Sequence, residues 1–435
     1  MNEPEAGRLS GPAPRALEFF AGIGLARLGL EKAGFQVIWS NDREPAKKQL
    51  YDANFPPSGE HEFVLGDLRG ISGASLPRGA ALAWASSPCT DLSLAGDRAG
   101  LSGGESGAFW EYARVLEELG DDRPAVAVLE NVVGLATSHG GEDLAAAVRS
   151  FNNLGYSVDV LSIDARRFVP QSRPRLFLVG VLDPPAAAAR PAEETLPATA
   201  ALPAEPAPPT DSDLPAEPTL SAETTLPAAA ALPAEPALSA GGPPADAALR
   251  PDWLKPVFAD PALRTRRLPL PAPPSLLRSG LGRCVEDLPA ADGRWWEETR
   301  VNAFLASLSP LQRQRADQLT ASAETAYRTA YRRTRAGRAV WEIRPDDIAG
   351  CLRTARGGSS KQALVRFGGG RLKVRWMTPG EYAALMGAGH YDFGAARTNQ
   401  SLFGFGDAVA VPVVEWLARH CLRPLASGSG PAAGF

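Results

Sequence analysis

Residues 81–93 read Ala81-Leu82-Ala83-Trp84-Ala85-Ser86-Ser87-Pro88-Cys89-Thr90-Asp91-Leu92-Ser93, an apolar run that stops at Ser86-Ser87 before Pro88 turns the chain into a polar segment. A short run of small and apolar residues closed by a breaker is the pattern of a strand buried on both faces of a parallel sheet. Catalytic groups in open α/β sheets lie just past such carboxyl ends. Cys89 is therefore the first candidate for chemistry, and α/β is the expected fold class.

Working outward, Arg15 to Phe35 reads as strand, glycine turn and helix, with Leu25, Leu28 and Ala33 at helical spacing. Gly22 and Gly24 allow a backbone to approach a ligand closely and leave the helix N-terminus facing it. The next strand, Phe35 to Ser40, ends in Asn41-Asp42. An acid there is placed to accept hydrogen bonds from ribose hydroxyls, and the two features together describe a nucleoside site. On the other side of Cys89, residues 93–106 are rich in Gly and Ser without apolar periodicity, which marks a candidate lid. A helix follows from Ser106 through Tyr112, Val115, Leu116 and Leu119.

Residues 125–133 form an apolar run that ends in Glu130. Burying a carboxylate is costly unless it is paired or protonated, so Glu130 is expected to have a raised pKa suited to sharing a proton with a base ring. A helix at 142–154 and a strand at 158–162 lead to Gln171-Ser172-Arg173-Pro174-Arg175, which enters another strand directly. Strand alternation puts Arg173 and Arg175 on one face, where both can engage one anionic or carbonyl-rich target.

The 435 residues suffice for two domains and a sizeable core. Cys89, Cys284, Cys351 and Cys421 lie far apart, as do the four histidines, so neither a disulfide framework nor a metal site is expected, and a reducing compartment fits. The first residues are polar and acidic, and no stretch is read as approaching the roughly 18 apolar residues of a membrane span. A soluble, cytoplasmic protein is expected.

The net charge of −4 hides an uneven distribution, because residues 251–374 carry 22 basic and 12 acidic side chains while every other stretch is acidic or balanced. In that block Trp253, Trp295, Trp296, Tyr327, Tyr331 and Trp341 interleave with arginines, densest from Arg328 to Arg338. Such a block is the footprint of phosphate contact and of arginines reading guanine edges. Cys351 to Gly358 adds a glycine-rich turn suited to close approach to a DNA backbone. Residues 184–250 are mostly Pro and Ala, and a 17-residue unit at 191–207 recurs at 221–237 with three substitutions. Low complexity of this kind buries too little apolar surface to fold and reads as a disordered insertion.

In residues and in order, Pro88-Cys89 with Asp91-Leu92-Ser93, then Glu130-Asn131-Val132, then Gln171 to Arg175 resemble the cytosine-5 DNA methyltransferase family of bacterial restriction-modification type. The resemblance covers residues 15–181 and 345–422. It implies a Rossmann-like S-adenosylmethionine-dependent methyltransferase sheet with a smaller, basic target recognition domain. The implied organisation is a disordered N-terminus at 1–14, a catalytic cofactor-binding domain at 15–183, the insertion at 184–250, target recognition at 251–374, a return to the catalytic domain at 375–425, and a disordered tail at 426–435.

By the same resemblance, S-adenosylmethionine is held by Phe20, Gly22, Gly24 and Asp42, with Asp67 of Gly66-Asp67-Leu68 at the adenine amino group. Pro88 and Asp407 complete the cofactor contacts. Cys89 is implied as the thiolate that adds to carbon 6 of a flipped cytosine, Glu130 as the partner of ring nitrogen 3, and Arg173 and Arg175 as contacts to the base and its phosphates. Arg375 to Gly387 resembles the helix that braces the recognition domain, and Asn399 to Val413 the last motif. The implied partners are double-stranded DNA and a cognate restriction endonuclease, with the chain acting as a monomer. Three positions depart from type: Glu18 stands for Asp, Thr90 for Gln, and Asp407-Ala408 for Asn-Ser. The alternatives are an RNA cytosine-5 methyltransferase of the same architecture and a non-catalytic DNA-binding homologue.

Overall fold

The chain is described here by a computed structural model over residues 12–88, 107–184, 245–335, 337–353 and 361–428. It parts into two compact units, Met1–Asp183 with Pro243–Phe435, and Pro184–Gly242. All but Pro184 of the second unit lies outside the described residues, as do Cys89, the lid segment from Ser93 to Ser106, the repeats, and residues 354–360 of the glycine-rich turn.

The first unit opens with β1 (Arg15–Phe19), α1 (Leu25–Lys32), β2 (Gln36–Asp42), α2 (Pro45–Asn54), β3 (Glu62–Leu65) and β4 (Leu82–Ser86). It continues with α3 (Ala108–Glu118), β5 (Val126–Val132), α4 (Glu142–Asn153), β6 (Tyr156–Asp164) and β7 (Pro174–Leu182). The seven strands form one sheet in the order β3-β2-β1-β4-β5-β7-β6. Strands β1 to β5 pair in parallel, while β7 runs antiparallel to both of its neighbours. The chain builds outward from β1 through β2 and β3, then comes back to lay β4 on the other side of β1. That reversal opens a crevice at the carboxyl ends of β1 and β4, where open α/β sheets bind ligands.

Both faces of the sheet are covered, which is why its strands read as near-continuous apolar runs. Ala16, Leu82, Trp84, Val126, Val128 and Phe177 share a core with α1 on one face. Leu17, Phe19, Ala83, Ala85, Ala127 and Leu129 share another with α3 and α4 on the opposite face. After the insertion come α5 (Ala245–Leu249), α6 (Lys255–Ala259), α7 (Glu298–Ala306), α8 (Pro310–Ala321), β8 (Ala326–Arg335), β9 (Arg338–Ile343), β10 (Ala363–Gly368) and β11 (Arg371–Trp376). Last are α9 (Pro379–Leu385), α10 (Thr398–Asp407), α11 (Val411–Leu417) and α12 (Arg423–Ala426). Helix α11 crosses α1 so closely that a Cβ on Gly29 would stand 2.6 Å from Val414 Cβ.

The end of the proline- and alanine-rich stretch departs from its sequence reading as disordered through residue 250. Leu249 is fully buried, and Arg250 Nε donates to Asp159 Oδ1 at 2.8 Å. The physical reason is Asp159 on β6, fully buried, whose charge needs a fixed cation to balance it. The chain then runs along the outer edge of β6, with Val158 N donating to Arg264 O and Arg266 N to Val158 O. This cover protects an edge strand that would otherwise expose its ladder groups.

The basic segment divides between cores. Leu254, Val257 and Leu263 pack on the large sheet, whereas Phe304, Leu308, Ala330, Val365, Phe367 and Val374 form a separate core. That second core lies between α7, α8 and an antiparallel sheet of order β11-β10-β8-β9. The rings of Trp296, Trp341 and Trp376 meet there at 5.3–5.6 Å, and the Arg300 guanidinium lies 3.9 Å from the Trp296 ring centre. Arg332, Arg333, Arg335 and Arg338 stand exposed on the β8–β9 hairpin. The join to α9 is a buried ion pair in which Arg375 Nη1 donates to Glu381 Oε2 at 2.8 Å, both residues being fully buried. Glu381 also accepts from Thr378 N at 2.9 Å and Glu286 N at 3.0 Å, so one carboxylate ties three segments together.

Thr398–Ala426 is long and apolar enough, by length and composition, to cross a membrane. This corrects the sequence reading that no stretch came near that limit. The reason for its apolarity is packing, since 72 % of its most apolar window is buried inside the fold.

Candidate active site

The crevice at the end of β1 is lined by a backbone under strain. Phe20 adopts φ 55°, a left-handed conformation uncommon for a residue with a side chain, and Gly22 and Gly24 follow at 58° and 81°. Strain of this kind persists where surrounding bonds enforce it. Here Ala21 N donates to Asn41 O at 2.7 Å and Gly22 N to Asp42 Oδ2 at 2.9 Å. Asp42 Oδ1 accepts from Glu44 N at 2.8 Å, and Asn41 Nδ2 donates to Val64 O and Gly66 O. The acid that ends β2 thus shapes the turn after β1.

The two glycines serve different ends. A Cβ on Gly22 would meet nothing nearer than 4.0 Å, so its face is open to a ligand. A Cβ on Gly24 would strike Phe55 and Tyr51 at 2.4 and 2.9 Å. Packing against α2 therefore requires a glycine at position 24. Asp67 caps the turn at Leu68–Gly70, accepting from Arg69 N at 3.0 Å and Arg69 Nη2 at 2.8 Å. Hydrogen bonds from Arg69 hold its carboxyl down at about 2.

Beneath this turn Glu18 is fully buried. It accepts from Arg27 N at 2.9 Å and Ser40 Oγ at 2.8 Å. Ser40 Oγ in turn lies 2.9 Å from Tyr51 Oη, which is 3.1 Å from His61 Nε2. Burial pushes the Glu18 carboxyl up to about 7, against the pull of Ser40 and Arg27.

Strands β4 and β5 end side by side, Ser86 standing opposite Glu130 in register. Asn131 Nδ2 donates to Ser87 Oγ at 3.0 Å, which fixes where half-buried Pro88 leaves the sheet. The residue after Pro88 is Cys89, whose own placement lies outside the described residues. Glu130 is 5 % exposed and its Oε1 lies 3.1 Å from Arg175 Nε. Burial pushes its carboxyl above the usual range, opposed by Arg175, Arg173 and a hydrogen bond with Ser86.

The two arginines share a face, as alternation requires, but act differently. Arg175 reaches Glu130. Arg173 is 1 % exposed and donates to Leu352 O at 2.8 Å, Gly406 O at 2.9 Å and Ala408 O at 2.5 Å. Its guanidinium therefore ties the start of β7 to the segment before β10 and to the C-terminal end of α10. Gln171 adds to this brace, donating from Nε2 to Leu385 O at 2.8 Å and accepting from Leu352 N at 3.1 Å.

Cys351, named from the sequence only as the start of a glycine-rich turn, stands beside these arginines. Arg173 Nη1 lies 3.4 Å and Arg175 Nη2 3.9 Å from its Sγ. Burial pushes the thiol up, but Arg173, Arg175 and Arg353 outweigh burial and hold it below its ordinary value. Lys47 is a site residue that the sequence did not single out, its Nζ 2.9 Å from Asp407 Oδ2 at the end of α10. Among the described residues, no cluster of His, Cys, Asp or Glu is gathered to hold a metal.

The family described as C-5 cytosine-specific DNA methylase matches residues 15–214. The chain is 32 % identical over 170 residues to the type II methyltransferase M.NgoBI of Neisseria gonorrhoeae, covering 39 % of this chain and 51 % of that protein. It is 28 % identical over 166 residues to M.HhaI of Haemophilus parahaemolyticus, covering 38 % and 48 %. The chain thus spans about half the length of the curated relatives it matches. The crystal structure of the S. pombe Dnmt2 methyltransferase superposes with a TM-score of 0.51 and 14 % identity over 95 % of this chain and 99 % of that one, a likeness of fold. Residues 15–214 therefore match the family of C-5 cytosine-specific DNA methylases, and the likeness to its curated members lies within that part of the chain.

Proposed function

We propose that the chain methylates carbon 5 of cytosine in a specific duplex DNA sequence, with S-adenosylmethionine as donor. One observation supports the reading: at the end of β4, beside the reversal of strand order, Ser86 stands in register with a buried, Arg175-paired Glu130, and Cys89 follows three residues later in the sequence. The open face of Gly22, the turn enforced by Asp42 and the left-handed Phe20 fit a nucleoside cofactor in the neighbouring crevice. S-adenosylmethionine, when bound, supplies an electrophilic methyl group.

The protein's part begins with Cys89. Carbon 5 of cytosine is a poor nucleophile, and addition of the Cys89 thiolate to carbon 6 makes it reactive. Addition drives negative charge toward ring nitrogen 3, where Glu130 in its protonated form donates a hydrogen bond. Burial, which pushes this carboxyl above the usual range, favours the protonated form that the task needs. Arg175 orients Glu130 and presents a cation toward the base. Arg173 holds the strand that carries Arg175. Loss of the carbon 5 proton after methyl transfer expels Cys89. The cytosine must leave its stack to reach this site, at a cost of a few kcal/mol, which contacts from the basic second core offset.

On this reading residues 251–374 supply target recognition, with exposed hairpin arginines meeting phosphates and base edges. The curated relatives named type II methyltransferases support a place as the modification half of a restriction-modification system, with a cognate endonuclease, acting in the cytoplasm as a monomer. The test is incubation with labelled S-adenosylmethionine and either duplex DNA or tRNA. Label enters DNA and is lost in Cys89→Ala. Label in tRNA alone overturns the substrate, and no label in either supports a non-catalytic homologue.

A further inference from the structure

Asp407 is the last residue of α10 and Lys47 lies in the first turn of α2, yet the two form an ion pair at 2.9 Å. Glu44 stands 3.6 Å from the same ammonium. Burial opposes the charge on Lys47, but Asp407, Asp42 and Glu44 outweigh it and raise its pKa. The Lys47 stem flanks the one open face of the glycine turn, its Cδ being the side-chain atom nearest the Cβ that Gly22 lacks. The turn, the cation and a carboxylate thus stand together at one end of the crevice.

We infer that Lys47 and Asp407 together bind the α-amino-acid end of S-adenosylmethionine, Lys47 taking the carboxylate and Asp407 the ammonium. This rests on the cofactor reading above and assigns the part of the ligand that reading leaves without partners. The family resemblance gives the adenosine end to Asp42, which ends β2, and to Asp67, just after β3. The other end of the ligand is a zwitterion, and it needs one cation and one anion side by side. A carboxylate alone at position 407 would repel the ligand's own carboxylate. Lys47 removes that repulsion and adds an attraction, so the departure from Asn at 407 is matched by a charge on a helix far earlier in the chain. Four alternating charges then close on one another, each ammonium facing a carboxylate.

The experiment compares two nucleosides by titration calorimetry on the full chain. S-adenosylhomocysteine carries the amino-acid end, and 5′-methylthioadenosine lacks it. Lys47→Met and Asp407→Ala should each weaken S-adenosylhomocysteine by about tenfold or more and leave 5′-methylthioadenosine unchanged. Lys47→Arg should restore most of the loss. A parallel fall for both nucleosides would mean that the pair only braces α2 against α10, and it overturns the inference. So does an unchanged preference for S-adenosylhomocysteine. If the unaltered protein binds neither nucleoside, the cofactor reading itself fails and takes the inference with it.

Discussion

Replacing Glu18 by glutamine isolates the most confined carboxyl under the cofactor turn. Glu18 is fully buried and its carboxyl is pushed from the ordinary 4.5 to about 7. A proton is thus held more tightly in the folded chain than in the unfolded one. The resulting stability is complete below about pH 4.5 and is lost as pH rises through about 7. At 1.36 kcal/mol per tenfold change in proton affinity, the full effect is about 3 kcal/mol, of which about 2.5 falls between pH 5 and pH 8. Glutamine imitates the protonated acid, since it keeps an oxygen for Arg27 N and has a donor where the acid carries its proton. Other groups titrate in the same range, so the informative quantity is the difference between the two proteins. Urea unfolding at pH 5 and pH 8 should find them alike at the lower pH and the variant more stable by about 2–3 kcal/mol at the higher. A variant destabilised equally at both pH values would refute the reasoning, because it would mean that Ser40 and the Arg27 amide keep Glu18 ionised in the fold.

Gly29→Ala should destabilise by about 1–3 kcal/mol, despite alanine's better helix propensity, because the added carbon meets Val414 where α1 crosses α11; a raised melting temperature would contradict this. Cys351 should be alkylated by iodoacetamide at pH 7.5 faster than Cys284 or Cys421, whose thiols burial pushes up to about 11 and about 12. Peptide mass spectrometry over time ranks the three, and a slower Cys351 would show that its arginine neighbours do not stabilise a thiolate.

Much of the sheet was legible because both its faces are buried. Runs such as Leu82 to Ala85 and Val126 to Leu129 have no polar alternation to confuse them with surface strands, and the polar residues that end them mark the crevice. Glu130 was legible for the same reason, as a carboxyl that an apolar run leaves no room to solvate. Lys47 was not, because a lysine in a helix that also carries Lys48 and Gln49 has the look of a solvated face, and its partner is distant in sequence. Gly24 and Gly22 look alike in sequence, and only the rings of Tyr51 and Phe55 distinguish them. Cys351 sits in a stretch without periodicity, and its character comes from arginines near residue 174. The folded end of the insertion at Leu249 and Arg250 was hidden by a composition it shares with the repeats before it.

The bonds from Arg173 to Leu352, Gly406 and Ala408 also set an order of events during synthesis. Strand β7 leaves the ribosome more than two hundred residues before its last carbonyl acceptors exist. Until residue 408 emerges, a cation destined for the interior lacks the carbonyls of Gly406 and Ala408 that hold it in the fold. The catalytic half therefore cannot close on its own as translation proceeds, and a nascent chain interrupted before α10 would hold every candidate catalytic residue and still lack the keystone that locks them.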